Sequence, residues 1–582
     1  MPLLAFEIQA FLGFALFLLS LWSVAPLVPA GRTSDLSVAV LIPTYDEDLT
    51  VLLPTVATAL ALRREHETWV LDDGRRPEVE EMCRELGAHY LSRSDNQGAK
   101  AGNLNNAIRH LDCDLIAVLD ADHVPELRFL ERTIPFFGDP DVAVVQTPQD
   151  FYNVDSFEHA GVVELTDDDP VARQRYHEQA LFYRVIQAGK NRWNAAFWCG
   201  TSAVVRLEAL RSIGGIATET ITEDIHTTVR LHRAGWRTVY LNQVLARGLA
   251  AKTVSAYALQ RRRWGTGAMQ LLRRENPLTA SGLSLPQRLA YATTLLGWFD
   301  AWRTLAFLLL PAIVLFTGAN PIRTSAPVFI AFFLAYFLTQ QTALVLLGRG
   351  YHRPIAGQMY ELARMPANIS ATLQLLQPTR QAFRVTPKGR STGNGTRDAR
   401  PLIAILGFSC LALAWYGAAL LHLTPQTYAA PWVAHGAALW LLANALLMLL
   451  TLRRTTAQSH TAEQRCTFRF PTDATARFDD QLCTITDLSM SGARLRRPAF
   501  ETKTPSGGTL HIHHRDTHLH LEATVTGQTP SGEILGIEFE HTQYTQLAVL
   551  AQLLFHDTTV DTPEAHFAAR RPRLVPKLEL AS

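Results

Sequence analysis

Five stretches of this 582-residue chain are long, apolar and free of charged side chains, or nearly so: residues 8–30, 304–318 with an extension back through Trp298 and Trp302, 325–347, 402–421 and 431–450. About 20 apolar residues cross a bilayer core as a helix, so the pattern predicts a multi-pass membrane protein. The first stretch competes with a secretory leader, but the only charge ahead of it is Glu7. A leader needs a basic start, and the reading is an anchor helix. Residues 348–400 carry nine Lys or Arg against Glu361 and Asp398, while loops 319–324 and 422–430 carry one Arg and none. Basic loops stay on the cytoplasmic side. That orientation puts the N-terminus outside and both 31–285 and 453–582 in the cytoplasm, with Arg453-Arg454 after the last span in agreement.

Charged residues are 18% and apolar residues 48%, which excludes a disordered chain, a collagen and a small disulfide scaffold. With 54 basic and 53 acidic residues the net charge is +1, so no global field points to nucleic acid. The six cysteines, at 83, 113, 199, 410, 466 and 483, form no CxxC pair, which gives no support to a structural zinc or redox motif.

From Ser37 onward, apolar β-rich runs (38–42, 69–71, 115–119, 142–145) alternate with helical stretches. This is the signature of a mostly parallel sheet, whose ligands sit outside the carboxyl ends of the strands. Three polar clusters fall there: PTYDED at 43–48, DDG at 72–74 and DADH at 120–123. Asp120 and Asp122 end an apolar run one residue apart. Hard oxygens so placed can hold Mg²⁺ or Mn²⁺ against a diphosphate; the plain alternative is helix capping. No GxGxxG or Walker loop is present, which disfavours a dinucleotide fold or a P-loop. Further on come KAGNLN (100–105), QTPQ (146–149), FWCGT (197–201), ITED (221–224) and QRRRW (260–264). Singly these have plain readings. Asp224 would sit near a helix start, where a carboxylate is favoured anyway, and QRRRW could lie on a membrane surface.

As an ordered set, DDG, DxD, TED and QxxRW resemble the processive family 2 glycosyltransferases, and most nearly the bacterial cellulose synthase catalytic subunits, over nearly all of the chain from Pro43. The resemblance implies a GT-A-like α/β nucleotide-sugar domain, membrane helices forming a polymer channel, and inverting transfer from a UDP-sugar. It assigns Asp72 and Asp73 to the uridine, with Thr44, Tyr45 and Glu47 lining the same pocket. Asp120 and Asp122 become the diphosphate and metal pair, with His123 as an added ligand for Mg²⁺ or Mn²⁺. Lys100 meets phosphate charge, Asp224 is the base, and Gln260, Arg263 and Trp264 grip the diphosphate and stack on the acceptor sugar. Cys199 falls in the acceptor region, where FWCGT stands for the family's FFCGS, and its thiol reads as packing. The residue types suit the chemistry: a carboxylate takes the acceptor proton, while cation and arginine offset the charge on the leaving diphosphate.

FRVTPKG, 383–389, matches the family's FxVTxK gating loop through Phe383, Val385, Thr386 and Lys388. The family commonly carries several helices ahead of the catalytic part, whereas this chain shows one. The expectation is therefore that an accessory membrane or periplasmic subunit completes the channel. Beyond the last span, short alternating strands (483–488, 509–514, 518–525, 534–539) and a helix at 545–554 predict a small barrel. HIHHRDTHLH, 511–520, reads as strand rather than a metal cluster, since no carboxylate or Cys set completes it. Arg465 and Arg469 (RxxxR), then Asp487, Ser489 and Gly492 (DxSxxG), resemble a PilZ domain, which implies binding of cyclic di-GMP through guanidinium forks. A latch holding the gating loop through these arginines needs a counter-charge, and AAKTVSAY ahead of QRRRW offers only Lys252.

The resulting expectation is a multi-domain membrane protein. It divides into an anchor (1–30), an α/β transferase domain (31–285), a helical membrane and interfacial region (286–452), a PilZ barrel (453–556) and a tail (557–582). The function implied by the resemblance is polymerisation of glucose from UDP-glucose into β-1,4-glucan, exported across a bacterial inner membrane and activated by cyclic di-GMP. Its partners are the growing glucan and the membrane, and not nucleic acid. Alternatives are a synthase of another β-linked polymer, such as one of N-acetylglucosamine, and a non-catalytic cyclic di-GMP receptor.

Overall fold

The computed structural model of the protein describes residues 2–21, 27, 29, 35–160, 176–322, 324–376, 395–461, 467–479, 481–497, 506–514, 517–540 and 543–556. The gating residues Phe383, Val385, Thr386 and Lys388, together with Arg465 and the tail from 557, lie outside the described residues.

Among the described residues, ten strands build the first soluble unit. They are β1 (Val38–Thr44), β2 (Glu67–Asp72), β3 (His89–Leu91), β4 (Leu115–Val118), β5 (Val124–Pro125), β6 (Val142–Gln146), β7 (Asp150–Phe151), β8 (Ala203–Arg206), β9 (Arg237–Tyr240) and β10 (Ala246–Gly248). Seven of them form one sheet in the order β3-β2-β1-β4-β8-β6-β9, and β5-β10-β7 form a small second sheet. In the large sheet β8 alone runs antiparallel to its neighbours. Every residue of β1 is buried, which is why it reads as a continuous apolar run: a strand covered on both faces has no polar side. Alternate residues enter different cores. Val38, Val40 and Ile42 pack with Leu52, Leu53 and Val56 of helix Leu49–Leu60, whereas Ala39 and Leu41 pack with Leu104 and Ile108 of helix Ala99–His110. Each large side chain so buried contributes about 1.5–3 kcal/mol. Asp48 of the PTYDED run caps helix Leu49–Leu60, accepting from Thr50 N at 2.8 Å.

The second soluble unit is a closed barrel of β11 (Phe470–Phe478), β12 (Gln481–Ser489), β13 (Gly492–Arg496), β14 (Gly507–His514), β15 (Thr517–Gln528) and β16 (Ile534–Phe539), followed by helix Tyr544–His556. The His-rich run lies in β14 and β15, as strand. β11 and β13 were not expected from sequence. The barrel is docked on the first unit. Leu550 and Leu554 of its final helix join the apolar cluster of Leu53 and Val56, Gln552 Nε2 donates to Ala57 O at 3.2 Å, and Tyr152 stacks edge-on against Phe468 and Phe555.

Among the described residues four helical segments are long and apolar enough to cross a membrane: Leu285–Thr317, Ala326–Leu347, Asp398–Leu420 and Pro431–Thr455. These cover the four later stretches expected from sequence but for residues 318, 325 and 421. The described part of the N-terminal helix, Pro2–Leu21, holds a shorter apolar part, Phe6–Leu21, and most of the expected stretch beyond it, at 22–26, 28 and 30, lies outside the described residues. Leu21, at its end, is buried on the catalytic unit. The Ser20 carbonyl abuts Gly189 so closely that any side chain there would collide with it, and Gln9 Nε2 donates to Asp300 Oδ1 at 2.8 Å. Arg454, at the end of the last span, donates to the Phe157 and His159 carbonyls at 2.7 and 2.6 Å. Both units therefore sit at the Arg454 end of the last span.

Candidate active site

The motifs gather where the large sheet ends. Thr44 and Asp72 close β1 and β2, and Asp120 and Asp122 follow β4. Beside these strand ends lies a cleft of about 1470 Å³ lined by Thr44, Tyr45, Glu47, Asp73, Lys100, Asp120, Asp122, His123, Cys199, Asp224, Gln260, Arg263 and Trp264. Residues separated by more than two hundred positions thus face one space.

Asp72 does not line it. Its carboxylate is fully buried and accepts from Arg76 N at 2.7 Å, Gly74 N at 3.0 Å and Tyr90 OH at 3.2 Å. Of the two DDG carboxylates only Asp73 borders the cleft, and Arg93 clamps it through Nε and Nη2 at 2.6 and 2.7 Å. Glu47 is oriented by Thr44 Oγ1 at 2.7 Å and Tyr45 N at 2.8 Å.

The catalytic end is a charge cluster. Lys100 Nζ is ion-paired to Asp120 and donates to Gly200 O at 2.7 Å. Burial pulls the Lys100 pKa down, but Asp120, Glu223 and Asp224 more than offset this and hold it above the ordinary lysine value. Asp224 opens helix Glu223–Arg233. Burial, then the neighbouring Glu223 charge, raises its pKa to about 7. Gly200, at φ +83°, lets the chain pass between these groups: a Cβ there would lie 3.3 Å from Asp224 Oδ2 and 3.4 Å from Lys100 Nζ. Burial lowers the Arg263 pKa against the attraction of Glu223, Asp120 and Asp224. The buried Gln260 Oε1 has no hydrogen-bond partner among the described residues.

Asp120, Asp122 and His123 bring one ligand atom each within 4.8 Å of one another. Asp122 Oδ1 contacts His123 Nδ1 at 3.2 Å and its Oδ2 accepts from Leu249 N at 3.2 Å. Two hard carboxylates with an imidazole at the wall of a nucleotide-sized cleft fit Mg²⁺ or Mn²⁺.

Cys199 is held by packing. Its N–H donates to Gln146 Oε1 at 2.8 Å, its carbonyl accepts from Gln149 Nε2 at 3.0 Å, and burial pushes its thiol pKa far up. The two glutamines of QTPQ thus fix the FWCGT turn, a role the sequence did not disclose. Nor did it disclose Arg261. This second residue of QRRRW lies over the Trp264 indole at 4.4 Å and is ion-paired to buried Glu158 at 3.1 Å and to Glu178. Arg364 of helix Pro354–Thr372 shares Glu178. One face of Trp264 is therefore backed by a fixed cation.

The barrel contributes to the same cleft through Thr467, Phe468, Arg469, Phe470, Pro471 and Met490. Arg469 Nη1 donates to Asp487 Oδ1 at 2.8 Å, and Arg494 Nε lies 3.4 Å from Asp487 Oδ2. Asp487, expected to bind ligand, is thus the counter-charge of Arg469. Ser489 and Gly492 close the β12–β13 turn, Ser489 Oγ donating to Gly492 O at 3.0 Å.

Residues 35–267 match the family described as glycosyltransferase like family 2, residues 207–349 the family described as cellulose synthase, and residues 460–556 the PilZ domain. The chain is 33% identical over 504 residues to cellulose synthase 1 of Komagataeibacter xylinus, covering 83% of this chain and 32% of that protein. It is 36% identical over 385 residues to the UDP-forming cellulose synthase catalytic subunit of Pseudomonas fluorescens (strain SBW25), covering 65% of this chain and 51% of that one. It spans from a third to a half of the length of these relatives. Among solved structures, a mannosyltransferase from Pyrobaculum calidifontis in complex with GDP-Man and Mn²⁺ aligns at 18% identity and TM-score 0.46, over 65% of this chain and 98% of that one. The chain is thus similar to bacterial cellulose synthase catalytic subunits, and matches in turn a family 2 glycosyltransferase, a cellulose synthase and, at its C-terminal part, a PilZ domain, with candidate membrane helices between.

Proposed function

We propose that the chain polymerises glucose from UDP-glucose into β-1,4-glucan on the cytoplasmic side of a bacterial inner membrane and passes the polymer outward. The observation that carries this reading is the convergence of Asp224, Lys100, Asp120, Arg263 and Trp264 on one cleft, beside helices able to cross a bilayer. Asp73, Thr44, Tyr45 and Glu47 receive the nucleotide. Asp120 and Asp122, with His123, would hold a divalent cation, which when bound offsets charge on the diphosphate. Lys100 and Arg263 add fixed positive charge to the same group. Trp264 offers the acceptor sugar a flat apolar face. Asp224 accepts the proton of the attacking hydroxyl, and its raised pKa suits a base working near neutral pH. A single displacement inverts the donor's α linkage to β.

Cyclic di-GMP is the proposed activator. The support is that Arg469 stands at once in the PilZ motif and in the cleft wall. A ligand that draws Arg469 from Asp487 differs in its contacts between the two states, as a switch requires. We take 31–285 as the catalytic unit, 286–452 as the membrane region with the gate at 383–389, and 453–556 as the regulatory unit. The test uses membranes holding the chain, supplied with labelled UDP-glucose or UDP-N-acetylglucosamine, with and without cyclic di-GMP. Polymer formed from UDP-glucose alone, destroyed by a β-1,4-glucanase and increased by the dinucleotide, is the expected result. Polymer from the second donor contradicts the reading.

A further inference from the structure

Residues 348–353, GRGYHR, turn the candidate span Ala326–Leu347 into helix Pro354–Thr372. Arg349, His352 and Arg353 fall in this turn, and no Asp or Glu occurs from residue 326 to residue 360. The first carboxylate, Glu361, is ion-paired to Arg364. The turn is tight. Tyr351 N donates to Gly348 O at 2.8 Å, and a Cβ on Gly348 would stand 2.6 Å from that of His352. Arg349 and Gly350 both take the left-handed backbone, at φ +50° and +83°. Glycine enters that region freely, whereas a long side chain is uncommon there, and such backbone gathers at binding sites.

Arg349, His352 and Arg353 are each half-buried, and among the described residues their side chains enter no hydrogen bond or ion pair. Arg353 Nε and His352 Nε2 are wholly buried without a partner there. Burial lowers the pKa of Arg349 and of His352, and no carboxylate offsets it. A cation taken out of water calls for a counter-charge. Arg184 of the catalytic unit reaches the same turn, its guanidinium 5.8 Å from the Tyr351 ring centre and its Nε donating to Tyr351 OH at 3.4 Å. Just before and after the turn, Val345, Leu346 and Ile355 are exposed. Apolar side chains exposed at the end of a span face lipid tails, so the cations between them stand at headgroup depth.

We propose that this turn binds the phosphate of an anionic phospholipid through Arg349 and Arg353, with His352 beside them. A guanidinium fork matches phosphate oxygens, and basic pockets at the cytoplasmic ends of membrane helices take anionic headgroups. The lipid would supply the missing counter-charge and, through Arg184 at Tyr351, seat the catalytic unit against the bilayer. The site is separate from the cleft, whose lining includes no residue of 348–353.

The full chain, purified in a non-ionic detergent, should be titrated with short-chain phosphatidylglycerol or phosphatidylcholine, with inorganic phosphate as competitor, and its bound lipid counted by native mass spectrometry. The expected result is one phosphatidylglycerol held at least tenfold more tightly than phosphatidylcholine and not displaced by equimolar phosphate. Arg349→Asn should weaken that binding tenfold or more. Asparagine tolerates the left-handed backbone better than arginine, so the same variant should melt no lower than wild type, which separates loss of lipid from loss of fold. Arg453→Gln, at an exposed position near the end of the last span, should keep the lipid. Phosphatidylcholine held as tightly, displacement by phosphate, or an unchanged affinity in Arg349→Asn overturns the proposal. An equal loss in Arg453→Gln overturns it too, since the attraction would then be diffuse. Should Arg349→Asn melt lower, Arg353→Gln should weaken binding tenfold or more, and an unchanged affinity there is equally fatal.

Discussion

Protonation of Asp224 should set the acid limb of the transfer rate, and Glu223→Gln should move that limb. Burial is the main reason the Asp224 pKa stands at about 7, and the Glu223 charge is the next; Lys100 and the Ile225 N–H, at 2.8 Å, restrain it. A rise of about 3 units from the ordinary aspartate value corresponds to about 4 kcal/mol against ionisation. With a pKa of about 7, about nine tenths of the base is ionised at pH 8 and just under one tenth at pH 6, so kcat/KM should fall about tenfold across that interval. Replacing Glu223 by Gln removes a like charge, so the limb shifts to lower pH. It stays above the ordinary aspartate range because burial remains. The stability effect has the opposite sense. A raised folded pKa means the native state gains from the protonated form, and that gain is lost as pH rises from the ordinary aspartate value through about 7. Asp224→Asn should therefore raise the melting temperature above neutral pH and leave it unchanged in acid. The assay is UDP release against pH at saturating metal, with donor well below its KM so that the rate reports kcat/KM. A flat profile from pH 8 to 6, or a Glu223→Gln limb superimposed on the wild type's, refutes the assignment.

Removing the metal should stop the reaction: excess EDTA abolishes polymer and added Mg²⁺ or Mn²⁺ restores it, while Asp122→Ala weakens metal-dependent UDP binding in a calorimeter. Arg261→Gln leaves buried Glu158 without its ion pair and Glu178 to Arg364 alone, a loss of about 3–5 kcal/mol for a broken buried pair. Arg261→Lys keeps the charge but not the flat stack on Trp264, so it should melt closer to wild type yet still make shorter polymer, with UDP affinity unchanged. Gly200→Ala introduces a side chain at φ +83° against Asp224 and Lys100, at a cost of about 1–2 kcal/mol for the left-handed backbone, and should lower kcat more than it raises KM.

Some of this was readable before any coordinates. The strands at 38–44, 67–72, 115–118 and 142–146 are buried on both faces, and such strands announce themselves as apolar runs. β8 and β9, four residues each, are too short to stand out. β11 reads FPTDATARF, whose outward half is polar, so it resembles a linker. Motif order located the cleft but could not say which of two adjacent carboxylates faces it. That depends on strand parity, and the turn after β2 sends Asp73 inward to the ligand side and Asp72 into the hydrogen bonds of Arg76 and Tyr90. The clamp of Arg93 on Asp73 and the stack of Arg261 on Trp264 join residues with no common spacing rule. The counter-charge of Arg469 was sought near QRRRW, yet it is Asp487, on the strand hydrogen-bonded to β11, because hairpin pairing brings Asp487 beside Pro471.

The most direct test separates binding from transfer in one variant. UDP affinity and polymer formation should be measured together, in Mg²⁺, for purified wild type and Asp224→Asn. Equal UDP affinity with β-1,4-glucan from the wild type only is the result this account requires. Polymer from Asp224→Asn at a rate near the wild type's would contradict it.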